Sequence, residues 1–192
     1  MHLSPCAAGE QFHGVLASAC EAIEEPWFLV PVSNDERGAA YRERVYCYEL
    51  YHQVRALTQH SRLAGAPEFV LSGEIDKAGL NAVVEGGKHK PDLVWHVPGQ
   101  NRNAVVVEVK LASSLTARGI RKDLATLNSF LTGDRSYSRG IYLLYGPCDP
   151  ERVQDRVVGL AAELGSSQLD RAILMWHPTP GVAPRVLGRL GN

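Results

Sequence analysis

The chain has little cysteine and no arrangement of it that builds a scaffold. Its four cysteines, Cys6, Cys20, Cys47 and Cys148, are far apart, with no C-x-x-C pair and no Cys/His grouping of zinc-finger spacing. That argues against a disulfide framework or a structural zinc and leaves reduced, mostly buried thiols. Long hydrophobic runs are missing as well. Nothing approaches the roughly 18 apolar residues of a membrane span, and the opening "MHLSPCAAGEQFHG" lacks a basic segment followed by an apolar one. The expectation is a cytoplasmic protein with no membrane partner. Charge of one sign is absent too: a net −1 over 192 residues gives the whole chain no field that would draw a polyanion. Any surface for nucleic acid must therefore be local. The 18 glycines and 11 prolines are dispersed and no segment repeats, which excludes a solenoid or a low-complexity chain.

What is present is an ordinary globular composition, 45% hydrophobic and 21% charged, at a length that one domain spanning 1–192 can serve with a single core. Helical spacing of Phe12, Val15, Leu16, Ala19 and Ile23 predicts a helix over 8–25. A longer helix is predicted over 35–60, where Tyr46, Cys47, Leu50, Val54 and Leu57 form one stripe. Glu49 lies at the margin of that stripe and Glu43 nearer its centre, an unusual place for a carboxylate. Three strands follow, over 68–75, 91–97 and 104–110, the last two joined by the turn-forming "PGQNRN". A helix over 115–131, a strand over 140–146, a helix over 150–164 and a strand over 172–177 complete the series. The order α-β-β-β-α-β, with a further helix and strand behind it (150–190), predicts an α/β fold whose mixed central sheet is flanked by helices.

The most informative stretch is "HKPDLVWHVPGQNRNAVVVEVK", residues 89–110. Side chains alternate along a strand, so Val106, Glu108 and Lys110 share one face. Pairing Val97 with Ala104 sets Asp92 beside Val109, and a shift of one residue or a bulge sets it facing Glu108 or Lys110. The sequence does not choose between these registers. Two carboxylates and a lysine on one surface have a definite use. Asp92, Glu108 and the Val109 carbonyl are hard oxygen ligands of the kind Mg²⁺ prefers, and Lys110 can orient an attacking water and stabilise charge on phosphoryl oxygens. Taken alone, E-x-K also describes any half-exposed strand. The hairpin spacing, the helix before it and the helix-strand pair after it agree with the catalytic reading.

Pro91-Asp92 followed by Glu108-Val109-Lys110, within the α-β-β-β-α-β order, resembles the PD-(D/E)XK nuclease superfamily over roughly residues 38–146. The stretches "YCYELYHQVR" and "SGEIDK" resemble small standalone bacterial members associated with defence gene clusters. The resemblance implies a restriction-endonuclease-like core and a Mg²⁺-dependent endonuclease that cleaves DNA in antiviral defence or restriction, with Mn²⁺ as a substitute. It makes Asp92 and Glu108 metal ligands and Lys110 the catalytic lysine. A glutamate from the first core helix completes the set: Glu49 is the first choice, with Gln53 one turn on, and Glu43 the second. Glu74 on the first strand is a candidate supporting residue. Arg118, Arg121 and Lys122, at the start of the helix after the lysine, and Lys90 are candidate DNA contacts, although solvation of a helix surface explains such cations equally well. RNA as substrate, partner proteins of a defence system and a homodimer stay open. The rival from another class is a catalytically silent subunit of the same fold that binds nucleic acid or partner proteins.

Overall fold

The computed structural model describes residues 3–32, 38–61, 68–73, 90–134, 136–165 and 167–191. Helix α1 spans Pro5–Glu21, capped by Ser4, whose hydroxyl accepts from the Ala7 N–H. It ends four residues before the expected boundary, and a separate short helix, α2 (Glu25–Phe28), starts with Pro26 in its first turn, where a missing N–H is tolerated. Strands β1 (Val30–Pro31) and β2 (Ala39–Ala40) pair antiparallel. β2 takes up chain that the helical pattern assigns to the next helix. Helix α3 accordingly runs Glu43–Ser61, eight residues shorter at its start than 35–60, and residues 33–37 lie outside the described residues.

Six strands form the central sheet in spatial order β3 (Val70–Gly73), β4 (Leu93–Val97), β5 (Arg102–Leu111), β6 (Arg139–Tyr145), β7 (Ala172–His177) and β8 (Arg185–Arg189). β4 runs antiparallel to both of its neighbours, β3 and β5; β5, β6 and β7 are parallel, and β8 returns antiparallel along the edge. The parallel pairs require crossovers, supplied by α4 (Ala117–Leu131) and α5 (Pro150–Glu163). Each has a side-chain cap: Thr116 accepts from Gly119, and Asp149 from Arg152. The mixed α/β class expected from the element order is what forms. β8 was not expected as a separate strand, since its half-exposed "RVLGR" carries little alternation.

Two apolar layers enclose the sheet. On one face α1 and α3 pack through Phe12, Leu16, Tyr46, Leu50 and Val54 against odd-numbered residues of β5, Val105, Val107 and Val109. On the other, α4 and α5 pack through Ile120, Leu124, Leu127 and Val157 against Val94, Val106, Tyr142 and Leu144. β5 is central and covered on both faces, which explains its near-continuous valine run. Phe12 stacks on Trp95 with centroids 5.3 Å apart, and Tyr46 on Tyr145 at 4.0 Å. Tyr46 also shares a 2.8 Å hydrogen bond with His177 Nδ1. Cys20 is the one fully covered thiol, and Cys6 is exposed; the expected burial therefore holds for only part of the set. Among the described residues no helix is long and apolar enough to cross a membrane.

Gly146 turns the chain out of β6 with φ of +85°, and a Cβ there would stand 3.1 Å from Leu111 Cδ1. Gly99, in the β4–β5 turn, has φ of +73° with nothing within 4 Å. Both positions penalise a side chain for its backbone, but only Gly146 adds a contact. Gly146→Ala should lower the unfolding free energy by roughly 2–4 kcal/mol and Gly99→Ala by about 1 kcal/mol, read from urea titrations. Equal losses would show that the Leu111 contact carries no cost.

Candidate functional site

The register of the hairpin decides where the acids go. Val97 pairs with Arg102 and His96 with Asn103, then a bulge between Trp95 and His96 shifts the ladder, so that Trp95 pairs with Val105 and Leu93 with Val107. The connecting turn is therefore shorter than "PGQNRN", because Arg102 and Asn103 belong to β5. Continuing the same register by one residue puts Asp92 level with Glu108. The pairing of Val97 with Ala104 is not the one adopted.

β4 begins at Leu93 while β5 runs on to Leu111. Beyond the start of β4 the edge of β5 needs another acceptor, and the Asp92 carboxylate provides it, accepting the Val109 N–H at 2.7 Å. An extended residue sends its N–H and C=O to the same side, so the Val109 carbonyl lies on the Asp92 edge as well. Lys110 follows at the end of β5, and its Nζ donates to Glu43 Oε1 at 3.0 Å, while the Leu111 N–H donates to Glu43 Oε2 at 3.2 Å. Glu43 stands in the first turn of α3, where its carboxylate ties the helix to the end of the central strand. Glu43, and not Glu49, is thus the α3 carboxylate whose charge acts on Asp92 and Lys110. Six residues along a helix turn a side chain about 120° away and carry it about 9 Å further. Glu49 instead accepts a hydrogen bond from Gln53 Nε2 at 2.6 Å.

A fourth acid, Asp123, went unnoticed in the sequence. It is buried on α4 and accepts from Tyr142 Oη at 2.9 Å. Its signal was available: Asp123 falls within the apolar series Ile120, Leu124, Leu127 and Leu131, the same anomaly that marks Glu43 in α3. Lys122, beside it, is exposed but close enough that its charge opposes the upward shifts of Glu108 and Asp123. Arg121 is drawn to α5, with its guanidinium 2.7 Å from Glu163. Arg118 and Lys90 are exposed. Glu74 lies outside the described residues. His96 is buried in the sheet beside Ser72, 3.1 Å from its hydroxyl.

The electrostatics of this group are those of acids gathered with too little positive charge. Burial, followed by the charges of Glu43 and Asp123, pushes Asp92 up to about 6, against the opposing Val109 hydrogen bond and Lys110. Glu108 is raised well above the ordinary carboxylate range by burial and by the charges of Asp92 and Asp123, which outweigh Lys122 and Lys110. Its Oε1 is buried with no hydrogen-bond partner among the described residues. Lys110 loses by burial but gains more from Glu43, Asp123 and Asp92, so it stays protonated beyond the usual lysine range. Comparison with family models, with curated proteins and with solved structures finds no match for the chain.

A divalent cation fits what these groups lack. A buried acid, Glu108, and a part-buried one, Asp92, repel each other, Glu108 Oε1 has no partner among the described residues, and a backbone carbonyl shares their edge. Among the described residues no three His, Cys, Asp or Glu side chains are already grouped as a ligand cage. Mg²⁺ does not need one, since it keeps several waters and takes one or two carboxylates.

A carboxyl with a raised folded-state pKa favours folding only while it is protonated. Asp92 costs nothing below its ordinary value of 3.8 and progressively more as pH climbs through about 6. In metal-free buffer Asp92→Asn should therefore be more stable than the wild type at pH 8, by on the order of 2–3 kcal/mol, with the gap closing towards pH 4. Thermal unfolding across that range measures it. A variant no more stable at pH 8 would show that Asp92 carries no such penalty.

Proposed function

We propose that this chain is a Mg²⁺-dependent phosphodiesterase that cleaves DNA, with the restriction-endonuclease-like core that the PD-(D/E)XK resemblance implies. The observation that carries the reading is the alignment of Asp92 with Glu108 through the Val109 N–H, with the unpartnered Glu108 Oε1 and Lys110 beside it. The site stands where β5 and β6 end, the usual place for ligands on an open sheet with parallel strands. Asp92, Glu108 and the Val109 carbonyl are the groups that would hold the ion. When bound, Mg²⁺ or Mn²⁺ supplies Lewis-acid polarisation of a phosphoryl oxygen and makes water more acidic.

The chain's own groups divide the remaining work. Lys110 keeps its proton at neutral pH and so acts as a cation, not as a base: it stabilises the negative charge that grows on the phosphoryl oxygens and orients the attacking water. Glu43 holds that ammonium at the strand end and is a positioning residue. Asp123, held by Tyr142, adds negative charge behind Glu108 that favours a cation in front of it. Of the α4 cations Arg121 is taken by Glu163, which leaves Lys122, whose charge acts on Glu108 and Asp123, and Arg118 to suit flanking phosphates. The setting in antiviral defence or restriction belongs to the resemblance, and RNA is a substrate the same chemistry admits.

One observation favours a second reading, a catalytically silent subunit that binds nucleic acid or partner proteins: Lys110 is engaged with Glu43 and not with an open face. A single experiment separates the two. Purified protein is incubated with plasmid and short linear DNA, with Mg²⁺, Mn²⁺ or chelator. The nuclease reading expects metal-dependent cutting that falls on the order of 10²–10³-fold in Lys110→Ala and in Glu108→Gln, while circular dichroism shows both variants folded. Cutting that persists in those variants, or no cutting by wild-type protein that binds the DNA, overturns it.

A further inference from the structure

Along α3, Arg44, Tyr48, Tyr51 and Arg55 are spaced i, i+4, i+7 and i+11 and therefore share one side of the helix. They lie to one side of the buried stripe of Tyr46, Leu50 and Val54 that faces the sheet, and Tyr51 packs against the margin of that cluster. Basic, aromatic, aromatic, basic is the pattern along about 16 Å of helix. A cavity of about 340 Å³ opens beneath it, with Arg44, Tyr48 and Tyr51 on the helix side and Gly73, Leu93 and Asp92 on the sheet side. The volume is at the small end of ligand sites. Its sheet-side end is the acid of the candidate site.

The two tyrosines differ in freedom. Tyr51 is fixed: its ring lies against Gly73, where a Cβ would stand 3.4 Å from it. The Arg55 guanidinium sits 5.8 Å from the ring centroid and donates to the hydroxyl at 3.2 Å. Tyr48 is 59% exposed, a large ring in solvent at the cavity mouth. An aromatic face flanked by cations, beside a narrow slot, is how proteins hold unstacked bases while their phosphates follow the positive groups. Within a duplex both faces of a base are covered by its neighbours, so only an unpaired base can use such a ring.

Resting on the phosphodiesterase reading of the adjoining acids, we propose that the α3 stripe binds an unpaired DNA strand, with a base stacked on Tyr48 and the backbone led by Arg44 and Arg55 past Asp92. The substrate class is then single-stranded DNA, or the single-stranded part of a flap or overhang. The chain's net charge of −1 makes this local pairing of cations with rings the source of affinity.

Fluorescence anisotropy with a labelled oligothymidine, in chelator so that nothing is cut, tests it. The unpaired strand should bind at least about tenfold more tightly than the same strand annealed to its complement. Tyr48→Ala should weaken strand binding by about 5- to 100-fold, Tyr48→Phe should restore it, and neither should alter duplex binding. Equal affinity for strand and duplex, or an unchanged Tyr48→Ala, overturns the assignment even if the protein cuts duplex DNA with Mg²⁺. Strand preference lost in Tyr48→Ala upholds it even if no metal-dependent cutting is found, in which case the phosphodiesterase reading is what fails.

Discussion

The hydrogen bond from the Val109 N–H to the Asp92 carboxylate is the contact on which the rest of the site depends. It exists because β5 outruns β4 and leaves a ladder donor that some acceptor must satisfy. A backbone carbonyl would have closed the ladder without charge. A carboxylate closes it with a charge, and the bulge at Trp95/His96 sets the register so that this charge arrives level with Glu108. Two acids are thereby held at one end of the central strands by the same geometry that builds the sheet.

Holding them there works against stability. The apolar layers on either face supply the favourable burial, and they end where the polar group begins: Val109 and Val107 are core on one side while Glu108 faces Asp123 on the other. Burial first, and then the gathering of four acids near two lysines among the described residues, raises the Asp92 and Glu108 carboxyls, and one buried Glu108 oxygen has no partner there. Local frustration of this kind, kept by an otherwise consistent fold, is what functional sites look like in physical terms. Lys110 and Glu43 relieve part of it through a half-exposed ion pair, which stabilises modestly but fixes the direction of the amine.

Much of the architecture was legible in the sequence because its elements have clear periods. The valine run of β5, the short apolar run around Trp95 and the stripe of α3 each point to one structure, and the mixed sheet follows from their order. The start of α3 was not, because Ala39 and Ala40 read equally well as helix, and only pairing with Val30 and Pro31 makes them strand. The register of the hairpin was beyond the sequence as well: a bulge shifts side-chain alternation by one residue, and β4, buried along its whole length, has no alternation to show the shift. Within the site, Asp92, Glu108 and Lys110 were readable as a group, whereas the choice between Glu43 and Glu49 turned on where the helix starts and which way it is rotated. Asp123 shows that a carboxylate in an apolar stripe is a signal to be sought in every helix.

The claim at the centre is that Asp92 and Glu108 jointly hold one divalent cation. Titration calorimetry with Mg²⁺ and with Mn²⁺ addresses it most directly, on the wild type and on a double variant carrying Asp92→Asn and Glu108→Gln. The wild type should bind one ion and release protons on doing so, more of them as pH is lowered from 8 towards 6, since raised carboxyls must give up their protons to bind metal. The double variant should show no binding. No heat of binding in the wild type, or the same affinity in both proteins, would contradict the account.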